Sequence, residues 1–507
     1  MAKTSKQRRT KRKFTDTLRK VRHEELFEAM WAVRALQSGR EARGIRIIKD
    51  FPKEAATPDY RSEYAIFPWR IETLLNELLS ADEGREEDLR RRWLNCYRFD
   101  GIRYLSNLMY ALECADDEEK LNGRTHILNE MHRLMQRQSE WQLGHVRISS
   151  LYRTGFLYKG DLAKESFKSK VGVDIDSFVK SCLHLFILYQ TYPSVTLESV
   201  AGDLGIEKAE WNTIFARISL PHRRAKAIAK ELWDWKSHIS YRKSVFRQWP
   251  LLNFTGKYYC TLPELLLLRV GNGLYYDVIS DDGAVRNEIS QRFEKYVRKL
   301  LEETFFSSLP KPTSYNVRKG HPVDEPDVLV LSDSKASLII ECKATRMSFE
   351  ALFSDDPIED AKRGYDEIVK GIFQIWRYVT HCRLGLTGRQ VIPGARGILM
   401  TLDPWMMTAN LLQDEVIDRA RIMLQERVPG SIVQDQIPVV FCPVVELESV
   451  CQKATNQSFM GCVEAASEER FKGWHLSTVH KEMFPDVDEK RPSLFHNSIS
   501  EVWPWLE

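Results

Sequence analysis

The sequence lacks several signatures that would assign it to a common functional class. It has no C-x-x-C pair and no HExxH, which argues against a zinc site, and no Walker phosphate loop, which argues against an ATP-driven translocase. No apolar run is long enough to span a bilayer, and no apolar signal region follows the basic N-terminus. Nine irregularly spaced cysteines suggest reduced thiols. We therefore expect a cytoplasmic protein.

Length and charge distribution indicate several domains and a basic end. A chain of 507 residues is too long for one ordinary core, so we expect two or three domains. The net charge is only +3, yet residues 1–22 hold ten Lys or Arg and one acid. This pattern predicts a basic flexible tail. Such a tail could follow a nucleic-acid backbone, or it could be a terminus that contributes nothing.

Residues 23–250 are expected to be mostly helical, with a loop at 115–120, because apolar residues recur there at spacings of three and four. Residues 196–217 resemble a helix-turn-helix module with Gly205 in the turn. Glu207 and Glu210 would oppose phosphate on the second helix, which favours a plain pair of packed helices. The predicted packing positions of the two helices are Val200, Ala201 and Leu204 in the first, and Ile206, Trp211 and Ile214 in the second.

Basic and aromatic residues alternate between positions 220 and 249. Basic side chains can neutralise phosphates and aromatic rings can stack on bases. The same letters also describe a helix with one apolar face and one solvated basic face. The residues predicted to bind nucleic acid are Arg223, Arg224, Arg242 and Lys243.

Residues 255–450 show the alternation of helices and strands that is typical of an α/β domain with a mixed central sheet. The segment GNGLYYDV near its start suggests a turn and a short strand, and 396–403 and 437–447 are apolar, β-rich runs around a helix. Residues 451–507 are expected to dock on this domain as a C-terminal extension. The predicted fold class is α+β multidomain, with a mostly α-helical N-terminal half followed by an α/β domain.

Within this domain, two short apolar runs surround a Ser/Asp-rich turn and predict a hairpin. Pro326-Asp327 precedes the first run, and Glu341-Cys342-Lys343 ends the second. Side chains alternate along a strand, so Glu341 and Lys343 share one face. Burying these charges is costly unless another charge meets them, and a divalent metal would do so.

These residues resemble the PD-(D/E)xK nuclease superfamily, which has a restriction-endonuclease-like fold. The resemblance implies that Asp327 and Glu341 bind Mg²⁺, or Mn²⁺, together with the backbone carbonyl of Cys342. It implies that Lys343 holds the attacking water and stabilises the negative charge of the transition state. In this reading the metal lowers the pKa of a bound water and neutralises the scissile phosphate.

Two further segments extend the resemblance. In the superfamily a helix before the hairpin supplies another acid, for which Glu294 is the first candidate here and Glu288 the second. Downstream, Gln374 and Tyr378 lie four residues apart on a predicted helix and match the Gln-x-x-x-Tyr element of RecB-type and Cas4-type nucleases, where the pair orients nucleic acid. Residues 348–366, between the two motifs, are expected to form a surface loop or a flap.

The sequence therefore predicts a Mg²⁺-dependent nuclease that hydrolyses phosphodiester bonds in DNA. By analogy, its role would be in prokaryotic genome defence, such as antiviral defence or restriction, or in a mobile element, with a second copy of the chain or a defence-system protein as partner. A second hypothesis is a non-catalytic nucleic-acid-binding or regulatory protein that retains a nuclease fold. A third is a helical assembly protein in which the hairpin motif is a coincidence.

Overall fold

The structure is a computed structural model in which the chain divides into two compact units. The first consists of residues 1–125, 134–146 and 164–279, and the second of residues 126–133, 147–163 and 280–507. The described residues are 5–59, 61–82, 93–121, 127–143, 147–234, 237–279, 283–318, 320–347, 357–404, 410–491 and 494–506.

Helices dominate the first unit. Two helices, Ile127–Leu143 and Asp161–Val171, contain points at which the chain passes from one unit to the other. The helices up to residue 279, apart from α7, are α1 (Ser5–Leu18), α2 (His23–Leu36), α3 (Glu41–Gly44), α4 (Pro68–Ser80), α5 (Phe99–Leu121), α6 (Ile127–Leu143), α8 (Asp161–Val171), α9 (Ile175–Tyr189), α10 (Leu197–Val200), α11 (Lys208–Ile218), α12 (His222–Leu232), α13 (Glu264–Val270) and α14 (Leu274–Val278).

The first unit also contains a small sheet that the sequence patterns did not predict. Its strands run in the order β1-β4-β3-β2. Each strand has only three or four residues, too few for the alternating pattern by which strands are recognised. They are β1 (Ser194–Thr196), β2 (Ser219–Pro221), β3 (Leu251–Phe254) and β4 (Lys257–Tyr259).

The prediction of a flexible tail over residues 1–22 is wrong from Ser5 onward. Residues Ser5–Leu18 form α1, and Phe14 and Leu18 are buried in the core of the first unit. The side-chain amide of Gln7 donates to the buried carboxylate of Asp116 on α5, at 2.5 Å. A basic segment is expected to stay solvated only where it has no apolar face to bury, and α1 has such a face.

Two local predictions in this region also need correction. Residues 115–120 continue helix α5 and do not form a loop. The acidic residues there predict a break, but no Gly or Pro occurs between positions 115 and 120. The segment predicted as a short strand at 271–278 instead contains α14, which has buried Leu274 and Val278 four residues apart on one face.

The second unit is built around a four-stranded mixed sheet of order β10-β9-β8-β7. Strands β7 and β8 pair antiparallel, whereas β8, β9 and β10 are parallel neighbours. A separate two-stranded hairpin, β5–β6, precedes the sheet. The strands are β5 (Ser314–Arg318), β6 (His321–Asp324), β7 (Val328–Ser332), β8 (Lys335–Lys343), β9 (Val391–Thr401) and β10 (Val439–Pro443).

Helices of the second unit cover this sheet and complete its core. The crossover from β8 to β9 contains the helix Lys362–Arg383, and the crossover from β9 to β10 contains the helix Asn410–Arg427. Apolar residues of both helices pack with the sheet in one cluster. The helices are α7 (Ile148–Tyr158), α15 (Gly283–Thr304), α16 (Pro357–Asp360), α17 (Lys362–Arg383), α18 (Asn410–Arg427), α19 (Val444–Cys451), α20 (Asn456–Ala466), α21 (Leu476–Met483) and α22 (Ile499–Val502).

The predicted fold class is confirmed at the level of its layout. The N-terminal half is mostly helical, and the larger, mixed sheet lies in the C-terminal half. In the C-terminal extension Phe495 and Trp503 are buried, and the indole Nε1 of Trp503 donates to the Leu151 carbonyl on α7 at 2.9 Å. Helices in the described part of the chain all fall short of the length and apolarity that crossing a bilayer requires.

Candidate active site

The β7–β8 hairpin brings the two halves of the acidic motif together. Its turn residues, Asp333 and Ser334, have φ values of 48° and 63°, as in the two-residue turns that suit the twist of a hairpin. The resulting register pairs Val328 with Ile340. Asp327, just before β7, therefore lies beside the end of β8, where its Oδ2 accepts a hydrogen bond from the Cys342 backbone N–H at 2.7 Å.

Lys343 links the acidic motif to the following helix. Its ammonium group donates to Glu341 Oε1 at 2.9 Å and to Gln374 Oε1 at 2.8 Å. Glu341 is buried and Lys343 is nearly so, with a side chain 12% exposed. Elements of three separate motif segments, Asp327, Glu341-Cys342-Lys343 and Gln374, thus meet at the end of β8.

Gly371 makes this meeting possible, and sequence reasoning did not identify it. A Cβ atom at position 371 would lie 2.4 Å from the Leu399 Cδ1 and 3.0 Å from the Lys343 Cε. Helix α17 therefore packs so closely on β8 and β9 that only glycine fits without a shift. A lone glycine inside a helical pattern was the available signal, since it costs helix stability without an evident return.

Glu294 and Glu288 have different surroundings, although both lie on α15. The carboxylate of Glu288 accepts from the backbone N–H groups of Leu162 and Ala163, at 3.4 and 2.9 Å, which is a structural role. Glu294 instead lies within electrostatic reach of Glu341 and Lys343. The structure therefore brings the first candidate to the site and leaves the second candidate elsewhere.

Acidic groups outnumber basic groups at this site. Burial raises the pKa of Asp327 to about 8, with further contributions from the nearby Glu341 and Glu294 carboxylates. Burial and the charge of Glu341 likewise raise the pKa of Glu294. Burial alone would lower the pKa of Lys343, but the charge and hydrogen bond of Glu341, together with the charge of Asp327, raise that pKa, so the amine stays protonated. Three carboxyl groups thus share one ammonium.

This donor set fits a hard divalent cation. Among the described residues, no three His, Cys, Asp or Glu side chains are arranged to hold one ion. The ligand set implied by the resemblance requires only two carboxylates, Asp327 and Glu341, and the Cys342 carbonyl. All are oxygen donors of the kind that Mg²⁺ prefers, and Mg²⁺ commonly keeps several waters. A cation would also favour the ionised form of Asp327, whose pKa is raised by burial and by the neighbouring carboxylates.

Tyr378 does not face the same surroundings as Gln374. It is 1% exposed, and its hydroxyl is 3.5 Å from Glu325 Oε1. Glu325 also accepts from Arg389 Nε at 2.7 Å and from the Thr313 backbone N–H at 3.0 Å. This buried network fixes the residue two positions before Asp327. In the free chain, Tyr378 therefore supports the Pro-Asp segment rather than presenting a ring to solvent.

Glu325 and Arg389 are positioning residues that sequence reasoning missed. The acidic residue directly before Pro326-Asp327 was a weak signal, because an isolated glutamate is ordinarily solvated. Arg389 follows α17 by six residues and carries no motif. Their pairing depends on the tertiary fold, so only coordinates could identify it.

Residues 348–356 of the predicted loop or flap lie outside the described residues. The remainder of that prediction, up to residue 366, needs correction. Pro357–Asp360 forms α16, and α17 begins at Lys362, so the helix that carries Gln374 starts earlier than the sequence pattern indicated.

The predicted nucleic-acid contacts on the first unit divide into two groups. Arg223 and Arg224 are exposed on α12. Arg242 is buried, and its guanidinium donates to Glu77 Oε1 at 2.6 Å, so the prediction that it binds nucleic acid is wrong. Breaking that pair would leave a buried charge, which is strongly destabilising. Lys243 is half-buried, and its carbonyl accepts from the Asn76 side chain at 3.0 Å.

Residues 196–217 do not form a helix-turn-helix of two full helices. The first helix, α10, is a single turn of four residues, and a short 3-10 turn separates it from α11. Gly205 has φ +71°, as a turn glycine requires, but the neighbouring Leu204 is exposed and does not pack. The predicted packing positions that are buried are Val200, Ile206, Trp211 and Ile214.

Comparison with known proteins returned no relative. No protein-family model matches the chain, no curated protein matches its sequence, and no solved structure matches its fold. The argument for function therefore depends on the arrangement of the side chains described above.

Proposed function

We propose that this chain is a Mg²⁺- or Mn²⁺-dependent nuclease that hydrolyses phosphodiester bonds in DNA. The single observation that carries the proposal is the convergence of Asp327, Glu341 and Lys343 at one end of β8, with Glu294 nearby. A protein that used this fold only as a scaffold would gain nothing from three acids around one buried amine. The cytoplasm, and a role in genome defence or a mobile element, remain part of this proposal by analogy.

The roles of the residues follow from their positions. Asp327, Glu341 and the Cys342 carbonyl would hold the metal, which supplies charge neutralisation at the phosphate and a more acidic bound water. Lys343 keeps its proton and offers an N–H donor to the attacking water or to a phosphate oxygen. Gln374 fixes the Lys343 ammonium through its side-chain carbonyl at 2.8 Å. Glu294 adds negative charge that favours a cation.

The direct test is cleavage of plasmid and linear DNA with and without Mg²⁺ or Mn²⁺. Asp327→Asn and Lys343→Met preserve side-chain size, and each should lower the cleavage rate by a factor of about 10²–10³. Matched controls lie at the other end of the same hairpin, where Asp333 and Lys335 are exposed. Asp333→Asn and Lys335→Met should cleave like the wild type.

Two outcomes would contradict the proposal. Wild-type cleavage by Asp327→Asn would remove the proposed site. DNA binding without metal-dependent cleavage, on single-stranded, double-stranded and RNA substrates alike, would support the non-catalytic nucleic-acid-binding alternative instead.

A further inference from the structure

Positive charge is concentrated on two helices of the first unit. Helix α1 has six Lys or Arg residues and one acid, and helix α12 has four and one. Their formal charges are therefore +5 and +3, whereas the whole chain has only +3. The rest of the chain is net acidic, so this concentration is not a reflection of overall composition.

Both helices are anchored in one core. Phe14 and Leu18 of α1 belong to the same buried cluster as Ala225 and Ala229 of α12. Because the apolar faces point into that core, the basic residues of both helices are left on the outside. Exposed examples are Arg9, Arg12, Arg223 and Arg224.

Contacts join the two helices into a single surface. Lys230 of α12 donates to the Asp82 carboxylate at 2.5 Å. The pKa of that exposed carboxyl is lowered by Lys230 and, more weakly, by Arg19 just beyond α1 and by Lys226 of α12. Lys11 of α1 lies 4.3 Å above the ring of Trp233, the residue after α12. Cations about 200 positions apart in sequence therefore converge.

The composition of this surface favours nucleic acid over a protein or a membrane as its partner. None of the described residues of α1 or α12 is an exposed large hydrophobic residue. Protein interfaces usually have aromatic or aliphatic anchors, and helices that lie on membranes insert apolar side chains. A nucleic-acid backbone requires neither, because spaced cations alone can displace its counterions.

We propose that the outward faces of α1 and α12 form one nucleic-acid-binding surface, the α1/α12 basic surface, which contacts the phosphate backbone without reading sequence. It is a folded part of the first unit, not a mobile arm, and the residues of the proposed active site belong to the second unit. The surface is thus a substrate-binding element whose action does not need metal.

The test is equilibrium binding of the full chain to a labelled DNA duplex of about 30 base pairs in EDTA, over about 50–200 mM salt. Arg9→Gln/Arg12→Gln and Arg223→Gln/Arg224→Gln should each weaken binding about 5- to 20-fold at low salt. Each lost phosphate contact should reduce the slope of log binding constant against log salt concentration by about 0.9. The variant that combines all four substitutions should therefore have a slope smaller by about 3–4. The far-ultraviolet circular dichroism of each variant should match the wild type.

The matched control replaces two other exposed arginines of the first unit, Arg43→Gln/Arg46→Gln, and should bind as the wild type does. Equal weakening by the control would mean that only general charge matters and would overturn the proposal. A loss of DNA binding that is confined to the α1 variant would also overturn it. So would variants that bind DNA as the wild type does but no longer bind vesicles of anionic lipid. Because no metal is present, failure here leaves the proposed nuclease site untouched, and intact binding without cleavage would count only against that site.

Discussion

Burial, charge and hydrogen bonding conflict at Asp327. One hydrogen bond, from the Cys342 N–H, favours the ionised carboxylate. Burial and two neighbouring carboxylates disfavour it more, so the pKa rises to about 8. Burying a carboxyl group where its ionised form is disfavoured lowers the stability of the metal-free protein at neutral pH. Such a cost is typical of functional residues rather than of surface ones.

This cost predicts that Asp327→Asn stabilises the metal-free protein. Between the ordinary pKa near 4 and the folded value of about 8, the folded state binds more protons than the unfolded state, so stability falls as pH rises through this window. Asparagine has no such titration and keeps a carbonyl for the Cys342 N–H. In EDTA, Asp327→Asn should raise Tm by about 3–8 °C at pH 8 and hardly at all near pH 4.

With added Mg²⁺ or Mn²⁺ at pH 8, the wild type should have a higher Tm than Asp327→Asn, because only the wild type is stabilised by binding the metal. Asp333→Asn, exposed on the same hairpin, is the control and should leave both profiles unchanged. A lower Tm for Asp327→Asn at every pH would show that the carboxylate is a structural partner and not a strained ligand.

At the scale of the element, one small residue, Gly371, determines how closely helix α17 packs on the sheet. Alanine stabilises an exposed helix interior by about 1 kcal/mol relative to glycine. At position 371, however, its methyl group would meet Leu399 and Lys343. Helix propensity therefore predicts that Gly371→Ala raises the stability of the protein, and packing predicts that it lowers it. Packing should prevail because protein interiors are densely packed.

We expect Gly371→Ala to lower metal-dependent cleavage about 10- to 100-fold by displacing the Lys343 ammonium, and to lower Tm rather than raise it. Cleavage rate and Tm are measured on the same preparation. Gly283→Ala is the matched control, because a Cβ at the start of α15 meets nothing within 4 Å. That variant should be neutral or slightly stabilising. A more stable, fully active Gly371→Ala would refute the close approach.

Elements with a strong local pattern could be predicted from the sequence. The hairpin follows from two apolar runs and a turn, and the apolar stripe of α15 follows from its helical spacing, with Phe293 and Val297 both fully buried. The meeting of Asp327 with Glu341-Cys342-Lys343 then follows from strand register. These features depend on neighbours close in sequence, which one chain reveals without homologues.

Features that depend on distant partners could not be predicted. The sequence predicts a tail where α1 lies, because the partner of this helix, α5, is about 100 residues away. The sequence likewise predicts a phosphate contact at Arg242, because Glu77, which pairs with it, is 165 residues distant. In each case the sequence is compatible with both a solvent-exposed and a buried, paired environment, and only the tertiary structure distinguishes the two.

At the scale of the whole molecule, the division into units does not follow a single cut in the chain. The second unit takes residues 147–163 from between two segments of the first. This insertion contains α7, whose Arg153 forms a buried ion pair with Glu448 of α19. Glu448 also accepts from the Tyr296 hydroxyl at 2.7 Å, so α7, α15 and α19 are tied together at one carboxylate.

A fragment of residues 280–507 contains all the proposed catalytic residues but lacks α7, and we expect it not to fold stably. Without α7, both Arg153 and Ser149 are missing, and the Glu448 charge is left buried with the Tyr296 hydroxyl alone. Loss of one partner of a buried ion pair costs about 3–5 kcal/mol. The ring of Trp503 would also lose the α7 surface against which Gly155 allows it to pack. The fragment should bind a hydrophobic dye, show no cooperative melting transition and cleave no DNA.

The full-length variant Arg153→Met isolates the ion pair from the missing surface. It should lower Tm, whereas Arg153→Met/Glu448→Met should recover much of the loss, because no charge is then left unpaired. A cooperatively folded, active fragment would show that α7 is dispensable and that the second unit begins at its first long helix. If α7 is required, the nuclease proposed here cannot be detached from the helical half by a single cut. The two halves must then be expressed and studied as one chain.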